Sequence, residues 1–265
     1  MRNVILLILL IVPFYSYSQI NQTDKNGLRQ GQWQKKYPNG QLMYEGQFKD
    51  DKPCGDWIRY FEGGQVKVKL RYFSSSDSAS AILFDQQGKK VAEGFYLNEK
   101  RTGTWIFLSG DTKISEEDYV DGQKHGISRK FYPTGGILEE AEWINGKQEG
   151  KYQVFFKNGK PYLQCRFQND KRNGLCLVNY ENGRTEMEAY YVNNQRDGEW
   201  KFFDEEGKFL YHLKYERGRL LNPEVRDSID NIQMRQMERD RNSIPDPEKF
   251  IQDPTEYMNI IQKFP

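Results

Sequence analysis

The apolar positions of this chain recur with two periods, one nested inside the other. Between about Asn21 and Gly218, short runs alternate apolar and polar residues, the period of a strand with one covered face. The runs themselves repeat every two dozen residues. A glycine precedes a bulky residue at Gly31, Gly55, Gly103, Gly126, Gly150, Gly174 and Gly198, in steps of 24, 48, 23, 24, 24 and 24. The step of 48 spans two units, with Ala79 where a glycine would stand, so eight copies are predicted. Nine residues after most anchors comes a second glycine, as in Asn39-Gly40, Gln87-Gly88, Asn158-Gly159 and Asn182-Gly183. These read as two-residue hairpin turns needing positive φ. The next segment runs to an aromatic at anchor +17, as in Phe48, Tyr72, Tyr96, Phe167, Tyr191 and Tyr215, and a polar turn leads on. Each copy is therefore strand, tight turn, strand, tight turn.

Size compensation predicts the register between copies. Position +15 of one copy and +2 of the next combine Gly46 with Trp57, Gly94 with Trp105, Ala141 with Tyr152 and Ala189 with Trp200, and reverse as Leu70 with Ala81. Two residues further on, the same register sets Phe48 on Gly55, Tyr96 on Gly103, Phe167 on Gly174 and Tyr191 on Gly198, an aromatic ring shielding bare backbone. Cys165 and Cys176 fall on the +15 and +2 pair. Facing β-carbons about 4.5–5.5 Å apart are near disulfide reach, so a bridge and two small buried thiols are the alternatives there. Cys54 is left unpaired.

The motif G-x-W-x-x-x-Y-x-x-G-x-x-x-x-E-x-x-Y, carried by Gly31-Gln32-Trp33 to Gly40 and by Gly198-Glu199-Trp200 to Gly207, resembles the MORN-type repeat in its bacterial variant, which also occurs in YwqK-family antitoxins. Glu45, Glu93, Glu117, Glu140 and Glu188 stand at its acidic position. Departures are Ala79, the insertion-like Ser74 to Ser78, and Ser128, Tyr152 and Cys176 in place of Trp33, Trp57, Trp105 and Trp200. The resemblance implies a mainly β fold, an elongated single-layer antiparallel meander of about eight hairpins with closed ends. Asn222 and Pro223 suit a helix start, and Val225, Ile229 and Ile232 share a helical face, so a short C-terminal helical tail is expected as a cap or a partner-docking element. A second helical piece is expected after Pro254.

Arg2 followed by the apolar run Val4 to Val12, with Ser16 and Ser18 before Gln19, reads as a signal peptide too short to span a bilayer. The expected organisation is 1–18 leader, 19–219 repeat array and 220–265 tail. With 39 basic and 38 acidic residues the chain has no field for nucleic acid or anionic lipid. His125 and His212 stand in different copies without metal-ligand spacing, and no nucleophile or nucleotide motif appears. The acidic row, about 10 Å apart on an open sheet, suits solvated partners of Lys and Arg better than catalysis. The chain is thus expected to be a non-enzymatic, cofactor-free scaffold that binds an exported or envelope protein. Carbohydrate or cell-wall binding and antitoxin-like binding are alternatives, and stable membrane insertion after cleavage is not expected. The candidate contact aromatics are those not used over glycine: Tyr37, Tyr60, Phe84, Phe131 and Phe155.

Overall fold

The computed structural model describes residues 19–73 and 77–243. The apolar leader, Ser74 to Ser76 and the helical piece expected after Pro254 lie outside the described residues. The chain divides into two compact units, one ending at Gly135 and one starting at Gly136.

The first unit is an antiparallel meander of β1 (Gln22–Thr23), β2 (Arg29–Lys36), β3 (Leu42–Lys49), β4 (Lys52–Tyr60), β5 (Val66–Tyr72), β6 (Ser78–Phe84), β7 (Lys90–Leu97), β8 (Lys100–Ser109), β9 (Thr112–Val120) and β10 (Gln123–Phe131). Each strand pairs with the next. The second unit continues the pattern through β11 (Ile137–Ile144), β12 (Lys147–Phe155), β13 (Pro161–Gln168), β14 (Lys171–Arg172), β15 (Gly174–Asn179), β16 (Thr185–Val192), β17 (Gln195–Phe203), β18 (Phe209–Glu216) and β19 (Arg219–Leu220), followed by α1 (Pro223–Ser243). The predicted hairpin repeat is therefore the architecture of both units.

The turn chemistry is the reverse of the expectation. Within a copy, Gly40 donates its N–H to the Tyr37 carbonyl at 2.9 Å, and Tyr37 donates to the Gln41 carbonyl at 2.8 Å. That is a three-residue loop in which the glycine alone has positive φ, +87° for Gly40. The preceding Asn39 serves another purpose, since its Nδ2 donates to the Glu62 carbonyl of the next copy at 3.0 Å. Asn182 does the same to Glu205 at 3.0 Å. Two-residue turns with positive φ at both positions lie between copies instead, as at Asp50-Asp51 (51° and 65°) and Asn193-Asn194 (50° and 69°). The 23-residue copy is short because a two-residue loop, Gly110-Asp111, joins β8 to β9, where Ser109 pairs with Thr112.

The size-matched register holds. Ala141 pairs with Tyr152 and Leu70 with Ala81. The tryptophans lie on their glycines: a β-carbon on Gly94 would sit 2.5 Å from the Trp105 ring, and one on Gly46 would also overlap Trp57. The extension of that register to the anchor glycines fails. After Glu45 pairs with Ile58, the next pair is Gln47 with Cys54, so one residue of β3 faces three of β4. Phe48 therefore pairs with Pro53, Tyr96 with Arg101, Phe167 with Arg172 and Tyr191 with Arg196. The anchor glycine is a bulge residue, at φ +62° for Gly55, a region that a side chain disfavours. In the one copy with Ala79 there is no bulge, and Tyr72 pairs straight across with Ala79. The serine run is no insertion, because Gly55, Ala79 and Gly103 are evenly spaced.

An asparagine closes an edge strand in each unit. Gln34 donates its N–H to Asn21 Oδ1 at 2.8 Å beyond the short β1. In the second unit Lys214 donates its N–H to Asn222 Oδ1 at 2.7 Å, and Asn222 Nδ2 donates to the His212 carbonyl at 3.0 Å. The Asn222 side chain thus serves the sheet and not the helix start for which its place before Pro223 suits it. Satisfying the last free ladder groups blunts an edge that would otherwise template pairing. Val225 packs on the core of the second unit, Ile229 is half-buried and Ile232 is exposed, so only the first turns of α1 dock.

Candidate binding surface

Alternation gives each meander two faces. On one, aromatic rings lie along the sheet and bury one another: Phe48, Trp57, Trp105 and Tyr119 in the first unit, Tyr191, Trp200 and Tyr215 in the second. Each buried tryptophan anchors its indole to the bulge. Trp57 Nε1 donates to the Gln47 carbonyl at 3.1 Å, Trp105 to Phe95 at 3.0 Å and Trp200 to Tyr190 at 3.0 Å. Cys165 and Cys176 fill the corresponding slot with a disulfide, at a Cα separation of 4.3 Å. Cys54 is a free, half-buried thiol.

A second recurring feature escaped the sequence reading. Two residues before four of the anchors stands an arginine whose guanidinium covers rings of its own copy. Arg29 lies 3.8 Å from the Phe48 ring centroid, Arg101 4.6 Å from Trp105, Arg172 4.3 Å from Tyr191 and Arg196 5.1 Å from Trp200. Three of them also donate to a tyrosine hydroxyl: Tyr119, Tyr191 and Tyr215, each at 3.2 Å. The recurrence of arginine at that offset was the available signal.

On the other face the acidic row binds its neighbours. Glu45 accepts from Gln34 and, at 2.6 Å, from the Tyr60 hydroxyl. Glu93 pairs with Lys90 at 3.3 Å and Glu188 with Lys201 at 3.5 Å. In the short copy the row residue is Glu116, bonded to Lys113 and Arg129. Glu117, one position on because of the shorter loop, pairs with Ser128 and with Trp105 and bonds to Lys124 and the Tyr119 hydroxyl.

Burial and then the Glu45 carboxylate push the Tyr60 hydroxyl up to about 12; burial and then Glu139 do the same for Tyr152. Both phenols are held neutral in the folded chain above the range where an unfolded tyrosine ionises, so their contribution is complete below about pH 10. It is lost as pH rises from there through about 12. Alkaline unfolding in that window is expected to be blunted in Tyr60→Phe; a melting profile identical to that of the parent chain would show that the phenol is not coupled to folding.

The candidate contact aromatics are half-buried. The Tyr37 hydroxyl donates to the Tyr60 carbonyl at 2.9 Å, Lys69 lies over Phe84 and Lys113 over Phe131. Phe155, beside the three-residue loop of its copy, is half-buried too. Large apolar side chains more open than these stand at other positions. Phe95 and Tyr190 at +16 are 47% and 44% exposed, Leu175 beside Tyr190 is 48% exposed, and Phe73, Leu97 and Val192 at +18 are also exposed. Their alternation with the buried +15 and +17 positions places them on the face away from the tryptophans. Freedom from a glycine partner does not single them out, because openness follows from the face a position occupies.

The first unit also holds a cleft of about 570 Å³ on the tryptophan side of the third copy, among Arg59, Tyr72, Asp77, Ala79, Tyr96 and Glu99. Among the described residues no group of three or more His, Cys, Asp or Glu side chains is placed to hold a metal ion. None of their helices is long and apolar enough to cross a membrane.

No curated protein is significantly similar to the chain. Among solved structures, a mutant of S. aureus TarM in complex with fondaparinux, alpha-GlcNAc-glycerol and UDP overlaps 49% of this chain and 21% of its own, at 12% identity and a TM-score of 0.24. A second TarM structure overlaps 49% and 20%, at 13% identity and a TM-score of 0.23. The chain thus spans about a fifth of these proteins, and at such scores the overlap implies nothing about function. The family model described as MORN repeat variant matches residues 29–50, 53–73, 124–145, 148–169 and 196–216. These segments coincide with β2 to β5, β10 to β13 and β17 to β18, so the hairpin array is one of MORN-type repeats of the variant class.

Proposed function

We propose that this MORN-type repeat array is a non-enzymatic scaffold that, after export, holds another protein in the cell envelope. The observation that carries the reading is the set of open apolar side chains on the face away from the tryptophans, Phe95 and Leu97 in the first unit and Leu175, Tyr190 and Val192 in the second. Aromatic and aliphatic side chains left open on a regular surface mark contact sites, and aromatics anchor them at modest entropic cost. The Cys165–Cys176 bridge supports the exported setting, because such bonds persist in oxidising compartments. Glycan stacking on Trp105 or Trp200 is disfavoured, since both rings are buried.

Two measurements test this reading. The mass of the protein from its native cell should match a chain starting at Gln19; retention of residues 1–18 would refute cleavage. A partner co-purified from the envelope should be lost on Phe95→Glu or Tyr190→Glu in chains with parental melting temperatures. Retention of the partner by both variants would remove this face as the contact surface.

A further inference from the structure

The third copy lacks the tryptophan that both its neighbours carry and the arginine that four of the other copies carry. Where Arg29, Arg101, Arg172 and Arg196 lay a guanidinium over aromatic rings, it has Asp77. Where Trp33, Trp57, Trp105 and Trp200 fill the slot two residues after the anchor, it has Ala81. The cleft of about 570 Å³ opens in this copy, with Asp77 and Leu70, the residue that faces Ala81, in its lining.

Its floor is Ala79, buried and paired with Tyr72 on one side and Tyr96 on the other. The two tyrosines therefore stand about 10 Å apart, two strand spacings. Each is braced by a tryptophan: the Trp57 and Tyr72 rings meet at 6.1 Å, the Tyr96 and Trp105 rings at 5.0 Å, both edge-on. Asp77 and Glu99 line the cleft beside the turns, and neither forms an ion pair among the described residues. Arg59, next to the last residue of β4, lines it as well and forms no ion pair among the described residues. Two carboxylates against one guanidinium leave the titratable lining negative.

We infer that this cleft receives a guanidinium group, the arginine side chain of a partner protein, entering where the copy's own arginine would otherwise lie. The inference rests on the scaffold reading and names one contact within it. Aromatic walls attract a cation through their ring faces, and a planar guanidinium both stacks on rings and bonds carboxylates through its fork of donors. Four other copies already lay a guanidinium on rings, with the cation supplied from within, and Arg29 also bonds the Asp51 carboxylate. A lysine ammonium is a compact point charge that stacks less well, so the site should rank arginine first.

The test uses the full chain with labelled tyrosines, following the Tyr72 and Tyr96 ring signals by NMR. The probes are N-acetyl-arginine amide, its lysine counterpart and the neutral glutamine counterpart, each up to about 50 mM, well above the Kd of even a weak specific site. Saturable shifts of both rings are expected with arginine, severalfold weaker with lysine and absent with glutamine. Asp77→Arg, which installs at an exposed position the arginine of four other copies, should weaken arginine binding by about tenfold or more, a change of about 1.4 kcal/mol. Asp77→Asn and Glu99→Gln should each weaken it severalfold, and they keep the test open should the arginine variant not fold. No response to arginine, an equal response to glutamine, or unchanged affinity in all three variants overturns the inference. A co-purified partner held equally well by Asp77→Arg would overturn the site and leave the scaffold reading in place. Specific arginine binding with no envelope partner would do the opposite.

Discussion

Trp105→Ala is expected to destabilise the first unit by about 3–5 kcal/mol, the range for deleting a fully buried large aromatic. Trp105 is 0% exposed, the largest side chain so enclosed. Its ring packs against Tyr96 and Phe107, carries the Arg101 guanidinium and lies flat on Gly94. The bulge opens the ladder at Phe95, and the indole takes the carbonyl there, so Trp105→Phe should still lose about 1 kcal/mol through the missing donor. From the other side, Gly94→Ala puts a β-carbon 2.5 Å from the ring and should cost about 1–3 kcal/mol. Combining Gly94→Ala with Trp105→Leu, which imitates the Leu70 and Ala81 pair, should cost less than the sum of the two changes, the signature of direct contact. Denaturant unfolding followed by fluorescence and circular dichroism reads all five variants, Trp105→Leu alone included. A loss below about 1 kcal/mol for Trp105→Ala would place the ring outside the core.

Loss of the Cys165–Cys176 bond is expected to rank second. The residues are separated by 11 positions, and releasing a loop of that size from the unfolded chain costs about 3 kcal/mol of stability in the chain-entropy model. Reduction, or Cys165→Ser, should lower the stability of the second unit by that order and leave the first nearly unchanged, because a repeat array is held mainly by neighbouring contacts. Thiol titration of the denatured protein should find one free group, Cys54. A count of three would sink the assignment. Cys165→Gly with Cys176→Trp installs the repeat's other filling of the slot and should recover part of the loss, since that position elsewhere holds glycine under tryptophan.

The two predictions share a feature that could be read without coordinates. Gly46 with Trp57, Gly94 with Trp105 and Cys165 with Cys176 are all covered by one register, and size compensation reveals register because the space between two strands is constant while side-chain volume is not. The anchor glycines misled for an equally physical reason. In the string, a glycine admitting a ring and a glycine turning the backbone to positive φ look alike, and only the copy with Ala79, which runs straight, separates them. The contact aromatics fared similarly. Tyr37 and Tyr60 seemed free because no glycine claimed them, yet one donates to the neighbouring backbone and the other to a carboxylate.

By itself the chain determined its repeat length, its hairpins, its mainly β class, and the size-matched rows down each unit, because those properties depend on local period and on nearest-neighbour volume. It held no statement of where the bulges fall, which turns take which conformation, that arginines roof the rings, or that one irregular copy opens a cleft. Those were decided by the tertiary structure, since a bulge shifts every later pairing by two residues and so moves long side chains over partners that spacing along the chain does not bring together.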